Sequence, residues 1–223
     1  MKKIVRKAAQ KILGFEPALP ALEAKVTTSI SDNQRYPQAC LRAANDYRLF
    51  NSFRQSQDYT QILEHVTHDQ GAAYLDEIKK RPDVFSALPD IAHNDEHGGP
   101  VLHSYPGIAP ISPSTLRYAK ILCDLYGLFG ALDNFSIAEI GVGYGGQCRA
   151  INSTSSPSSY TLIDLQPVLQ LSQRYLDHYI MNSQLVYSTM NQLVTREYDL
   201  LISNYAFTEL PRAVQDVYLS RVI

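Results

Sequence analysis

The chain has no tryptophan, only three cysteines and three methionines, and no marked excess of either charge. Each shortage excludes something. Cys40, Cys123 and Cys148 lie far apart, without the short spacings of zinc sites or dithiol redox motifs. An odd, scattered set reads as free thiols in a reducing compartment. The 20 basic and 22 acidic side chains leave a net charge of −2. No global field then draws the protein to nucleic acid or to anionic membranes. No apolar run approaches the ~20 residues that span a bilayer. The basic start, MKKIVRKAAQKILGF, has no continuous apolar stretch and no small-residue cleavage site, so it does not read as a signal peptide. Its period puts Ile4, Val5, Ala8 and Ile12 on one side of a helix. That helix reads as packed on its own domain, with a membrane-surface helix as the alternative. The chain reads as cytoplasmic, with no transmembrane segment and no nucleic-acid partner.

What is present is an ordinary globular composition, 45% hydrophobic over 223 residues. That length suits one large domain, or a core domain with a smaller lobe. The first 110 or so residues carry helical rather than alternating patterns. Cys40, Ala43, Tyr47 and Phe50 share one helical face. Tyr59, Ile62 and Val66 share another, continued by Tyr74, Leu75 and Ile78 after an expected break near Gly71. Residues 81–113 are rich in Pro, Gly, Asp, Asn and His and read as a long loop. A helix then starts at Ser112, an N-cap, with Pro113 in the first position and a stop at Gly127 or Gly130.

Beyond it the texture alternates. FSIAEIGV, SYTLIDL, QLVYS and YDLLISN read as short buried strands, with helices between them and a last helix over TELPRAVQDVYLSRVI. Strand–helix alternation predicts an α/β fold with a mainly parallel, Rossmann-like sheet. We divide the chain at residue 111, with a helical lobe over 1–111 and the sheet domain over 112–223.

The first strand runs into GVGYGG, which holds four of the chain's 11 glycines. A glycine-rich turn between strand and helix lets a ligand lie against bare backbone, and the helix N-terminus offers unpaired N–H groups. The turn satisfies G-x-G-x-x-G literally, so NAD stays open as a ligand. Two features favour S-adenosylmethionine. Glu139 stands two residues before Gly141, where a carboxylate suits a cationic methionine moiety and not a pyrophosphate. The fourth strand ends in the polar Ser203 and Asn204, followed by aromatics. Asp164, at the end of the second strand, suits ribose hydroxyls of either cofactor.

IAEIGVGYGGQCRAI, YTLIDLQPVLQLSQRYL and YDLLISNYAFTEL, in this order, resemble the class I S-adenosylmethionine-dependent methyltransferases. With ISPSTLRYAKILCDLYGLFG upstream, residues 94–212 resemble a bacterial family of sugar O-methyltransferases. The resemblance implies S-adenosyl-L-methionine as cofactor and a small-molecule or sugar acceptor. It assigns the glycine-loop role to Glu139, Gly141, Gly143 and Gly145, and the ribose acid to Asp164. It puts Ser203, Asn204 and Tyr205 near the sulfonium, and Met190 and Asn191 near the adenine. A sugar hydroxyl needs a general base. The loop AHNDEHGGPVLH offers His93, Asp95 and His97, with a neighbouring acid raising the imidazole pKa. Divalent-cation binding by Asp95 and Glu96, and a plain polar surface loop, are the alternatives; no metal site is assigned.

The family's sheet continues beyond the fourth strand, so the chain reads as truncated at its C-terminus. Val214, Val217, Tyr218 and Val222 are then expected to be partly uncovered, favouring self-association. An NAD(P)-dependent oxidoreductase and a non-catalytic nucleoside-binding fragment are the competing functions.

Overall fold

The computed structural model describes residues 34–222. The segment carrying Ile4, Val5, Ala8 and Ile12 lies outside the described residues. The architecture is α/β. Four short strands form one parallel sheet: β1 (Ser136–Ile140), β2 (Ser159–Ile163), β3 (Gln184–Ser188) and β4 (Leu200–Ile202), in the order β3-β2-β1-β4. In the register, Glu139 stands beside Leu162 on one side and Ile202 on the other. Parallel strands buried on both faces read as continuous apolar runs, as SIAEI and SYTLI do. The chain leaves β1 toward β2 on one side and returns as β4 on the other. That reversal makes the β1/β4 boundary the switch point of a Rossmann-like sheet.

Helices cover both faces. On one side, a continuous apolar cluster runs from Tyr36 and Cys40 through Leu116, Leu122 and Tyr144 to Ile137, Tyr160 and Ile202. It joins the sheet to α7 (Pro113–Phe129), α8 (Gly146–Asn152) and α9 (Gln166–Leu176). On the other side, Ala138, Ile140, Ile163 and Leu193 pack with Tyr218 and Val222. These last two belong to α11 (Arg212–Val222), and each is only 6% exposed. The expectation that they would be uncovered is therefore corrected: the sheet's second face covers them. Val214 and Val217 are half-buried. The last helix is also broken, because Pro211 separates α10 (Ala206–Glu209) from α11.

Upstream, α1 (Arg35–Asn45) packs on α9 and α4 (His68–Ile78) packs on α7, with α2 (Tyr47–Phe50) and α3 (Gln57–Thr60) between them. The expected break near Gly71 falls elsewhere. Gly71 is inside α4, where a Cβ would collide with the Tyr105 hydroxyl. The break is at residues 61–67, and Thr67 starts the new helix with a capping box to Gln70. The expected loop over 81–113 also differs. Its first third folds as α5 (Pro82–Ser86) and α6 (Leu88–Ala92), each with proline in its first turn, and then a 3₁₀ turn at His93–Asp95. Proline pre-sets helical φ there and gives up an N–H that had no partner. The Ser112 cap, Pro113 start and Gly130 stop of α7 are as expected.

One buried cation ties these pieces together. Arg54 is 1% exposed. Its guanidinium donates to both carboxylate oxygens of Glu64, at 2.8 and 3.3 Å, to Asp95 Oδ1 at 3.0 Å, to the Asn94 carbonyl at 3.0 Å and to Ser112 Oγ at 3.0 Å. Asp95 in turn accepts from Ser112 N, Ser112 Oγ and Thr115 Oγ1, all at 2.7 Å. Removing one side of such a network strands the other charges in the interior. Arg54→Met should lower the unfolding free energy by about 3–5 kcal/mol. A urea titration showing a loss below about 1 kcal/mol would contradict this account of Arg54.

Candidate ligand cavity at the strand ends

The carboxyl ends of all four strands open into one cavity of about 630 Å³. That is within the ~300–1,000 Å³ of small-molecule sites. Ile140, Gly141 and Gly143 line it from the end of β1, and Ile163 and Asp164 from the end of β2. Thr189, Met190 and Asn191 line it from the 3₁₀ turn after β3, and Asn204, Tyr205 and Glu209 from the segment after β4. The near wall comes from the amino-terminal part: Tyr36, Ile62, Leu63, His65, Arg117 and Tyr118.

The glycine turn has left-handed φ at Gly141 (80°), Gly143 (56°) and Gly145 (91°), where a side chain would be strained. Much of what approaches these glycines is protein. A Cβ at Gly141 would collide with Ala206, and one at Gly143 would meet Leu63 Cδ1 at 2.5 Å. Gly145 faces Ser172 and Leu176 and does not line the cavity. The turn thus serves packing at Gly145 and borders the cavity at Gly141 and Gly143. The Gly143 N–H donates to Asp164 Oδ2 at 3.2 Å, and Leu165 N donates to Asp164 Oδ1 at 2.7 Å. This fixes the Asp164 carboxylate at the rim, half-buried.

Glu139 is the unusual group. Its carboxyl is 2% exposed and lines the cavity. Tyr160 donates its hydroxyl to Oε2 at 2.7 Å. No cation among the described residues pairs with it. Burial pushes its pKa up to about 8, and the nearby Asp164 adds to the rise, against the Tyr160 bond. An acid in this state gains its charge when a cation arrives.

Other expected site residues stand apart. Ser203 does not line the cavity: its hydroxyl donates to the Ile140 carbonyl at 3.2 Å and accepts from Phe207 N at 3.0 Å. It joins the ends of β1 and β4 and caps the next turn. His93, Asp95 and His97 do not line the cavity either. Asp95 is consumed by Arg54, Ser112 and Thr115. His93 pairs with Glu96 at 2.5 Å on the surface. His97 stacks on His178 at 4.1 Å, beside a separate hollow. Its pKa is lowered, first by burial and then by His178, which reverses the rise expected from a neighbouring acid. The structure thus gives no support to a base in this turn. Among the described residues no group of three or more His, Cys, Asp or Glu could hold a metal ion. Glu96 faces His93 and Asp95 faces Arg54.

Three cavity residues carried no signal in the sequence. Leu63 and His65 lie between two helices, in a stretch that reads as part of a longer one. Arg117 sits inside a helix whose apolar stripe, with Leu116 and Ala119, marks only core positions. Tyr205, expected from the sequence at this end of β4, lines the cavity rim, 67% exposed, with φ of 76°, rare for a residue with a side chain. Such a conformation is not visible before the fold is known.

No family model matches the chain, and no curated protein sequence matches it. Among solved structures, the crystal structure of a putative RNA methyltransferase from Pyrococcus horikoshii is similar, with 13% sequence identity and a TM-score of 0.39. The match covers 48% of this chain and 52% of that one, so this chain spans about half its length. No helix among the described residues is long and apolar enough to cross a membrane.

The raised pKa of Glu139 has a consequence for stability. In the unfolded chain a glutamate ionises above about pH 4.3, whereas the folded carboxyl holds its proton to about 8. Folding therefore takes up a proton between these values, and this group's contribution worsens by about 1.4 kcal/mol per pH unit as pH rises. Glu139→Gln should gain on the wild type steadily between about pH 5 and about pH 8 in urea titrations. A difference that stays flat across that window would mean that Glu139 is ionised in the folded protein.

Proposed function

We propose that this protein is an S-adenosylmethionine-dependent O-methyltransferase acting on a sugar hydroxyl. The observation that carries the cofactor is Glu139: a buried, uncompensated carboxyl at the switch point of a parallel sheet, beside a glycine turn. The residues present fit the cofactor. Glu139 suits a cationic methionine moiety, Asp164 suits ribose hydroxyls, and Met190 and Asn191 offer an apolar and a polar contact for adenine. Gly141 and Gly143 keep the backbone open to the cavity on that side. A pyrophosphate beside Glu139 would set anion against carboxyl, which weighs against NAD. The sugar acceptor rests on the sequence resemblance alone.

The bound cofactor supplies an activated methyl group for in-line transfer to an acceptor oxygen. The chain's part is to orient, to exclude water and to take a proton. Tyr36, Leu63, Tyr118 and Leu210 give the cavity apolar walls. His65 lines the cavity, is exposed, and has no hydrogen-bond partner among the described residues. It takes the proton of the acceptor hydroxyl in this reading, in place of His93 and His97. Asn204, at the end of β4, orients the acceptor side.

Calorimetry with S-adenosylhomocysteine and with NAD tests the cofactor. The wild type should bind the first and not the second. A ribose hydrogen bond to a charged acceptor is worth about 1.5–3 kcal/mol, so Asp164→Ala should weaken S-adenosylhomocysteine by tenfold or more. Binding of NAD with no response to S-adenosylhomocysteine would replace this reading with an oxidoreductase. With cofactor binding established, His65→Ala should abolish methyl transfer to sugars without changing cofactor affinity.

A further inference from the structure

We infer that the surface hollow beside the stacked imidazoles of His97 and His178 is a second ligand site, and that it holds an uncharged sugar ring. The site lies apart from the cavity at the strand ends and does not depend on what that cavity binds.

The hollow has a volume of about 340 Å³, near the lower end of small-molecule sites. Gln166, at the start of α9, lines the cavity, whereas Arg174, Asp177 and His178, at its other end, line the hollow. At ~1.5 Å per residue, the step from Gln166 to Arg174 is about 12 Å along the helix. The buried Phe50 forms the floor. His178, His97 and the Arg174 guanidinium approach its ring at 5.3, 6.0 and 4.4 Å. Tyr47 also lines the hollow, is 72% exposed, and stacks on no other ring among the described residues.

The polar groups around this floor have bonding capacity left over. Arg174 Nη1 is fixed by the Ala43 and Ala44 carbonyls, at 3.0 and 2.9 Å, at the end of α1. Its Nε and Nη2 have no hydrogen-bond partner among the described residues, and neither do the Asp177 carboxylate, the Asn51 amide or the ring nitrogens of His97 and His178. Asp46, near Arg174, accepts from the Arg48 and Leu49 amides instead. Charge then chooses the ligand. Among the lining residues Arg174 and Asp177 carry full charges, and these cancel. The imidazoles do not tip the balance, because burial and then His178 lower the His97 pKa, against Glu96. An anion would gain Arg174 and meet Asp177, and a cation would do the reverse. A hydroxyl-rich ligand of no net charge meets neither conflict, because each hydroxyl both donates and accepts. Asp177 accepts its hydroxyl protons, the Arg174 fork donates to its oxygens, and Asn51 and the imidazoles do either. A sugar ring also has an apolar C–H face, which the exposed Tyr47 ring can cover. An exposed tyrosine alone would be ordinary; here it borders a set of unpartnered donors and acceptors over an aromatic floor.

The test titrates intact protein with the methyl glycosides of glucose, galactose and mannose at millimolar concentrations, following the imidazole NMR signals of His65, His97 and His178. At least one glycoside should move the His97 and His178 signals together. Tyr47→Ala and Asp177→Asn, both at exposed positions, should each weaken that glycoside tenfold or more. Asp164→Ala, in the cavity, should leave it unchanged. The 6-phosphate of the same sugar should bind no more tightly, and inorganic phosphate should not compete. A phosphorylated sugar that binds more tightly, or phosphate that displaces the glycoside, makes the hollow an anion site and overturns the inference. Shifts at His65 alone put the sugar in the cavity, which overturns the hollow and leaves the proposed function standing. No shift with any of the three glycosides, or an affinity unchanged in both surface variants, overturns it as well.

Discussion

The buried guanidinium of Arg54 is the constraint on which the site depends. It holds Glu64, the Asn94 carbonyl, Asp95 and Ser112 at once. These partners belong to three different pieces of the cavity's support. Glu64 fixes the segment that carries Leu63 and His65 into the cavity wall. Ser112 caps the helix that carries Arg117 and Tyr118. Asn94 reaches the glycine turn, donating Nδ2 to the Gly146 carbonyl at 2.9 Å, while its carbonyl also accepts the Tyr175 hydroxyl at 3.0 Å. At an effective dielectric near 20, each charge pair at about 3 Å is worth roughly 5 kcal/mol of Coulomb attraction, comparable with the cost of burying the ions. Net stability from such a network is small, but its geometry is fixed, because any rearrangement strands a charge. What Arg54 provides is placement of three wall segments that no strand or helix ladder connects.

The cavity itself contrasts with that network. Around Arg54 every charge has a partner. At the strand ends, Glu139 has a hydroxyl where a cation would satisfy it, and Arg117 has a carbonyl where an anion would. Both lie within one space that parallel topology opens at its switch point. The interior charges are satisfied around Arg54, whereas at the strand ends a buried guanidinium and a buried, protonated carboxyl face one cavity, the pattern expected of a binding site.

Much of this was legible in the sequence, for physical reasons. Strands buried on both faces read as apolar runs, so β1 and β2 were plain, and Ser112, Pro113 and Gly130 mark α7 by cap chemistry that is local. Glu139, Asp164, Gly141 and Gly143 follow because strand ends set their positions within a few residues. The histidine-rich turn misled because composition says nothing of partners: Asp95 is absorbed by an arginine 41 positions earlier. His65, Leu63 and Arg117 were missed for the converse reason. They enter the cavity through contacts between segments distant in sequence, such as Arg117 with Leu63 across 54 positions. The break at 61–67 and the covering of Tyr218 and Val222 are likewise tertiary outcomes. Helical period in the first case, and a missing-strand argument in the second, had no access to them.

The central claim is that Glu139 waits, protonated, for a cationic ligand tail. Proton release on binding tests it most directly. Calorimetry of S-adenosylhomocysteine near pH 7, in two buffers of different ionisation enthalpy, reads the proton number. With the carboxyl pKa at about 8 in the free protein, the account predicts binding accompanied by release of most of one proton, absent in Glu139→Gln. Binding with no proton released, or no binding at all, would contradict it.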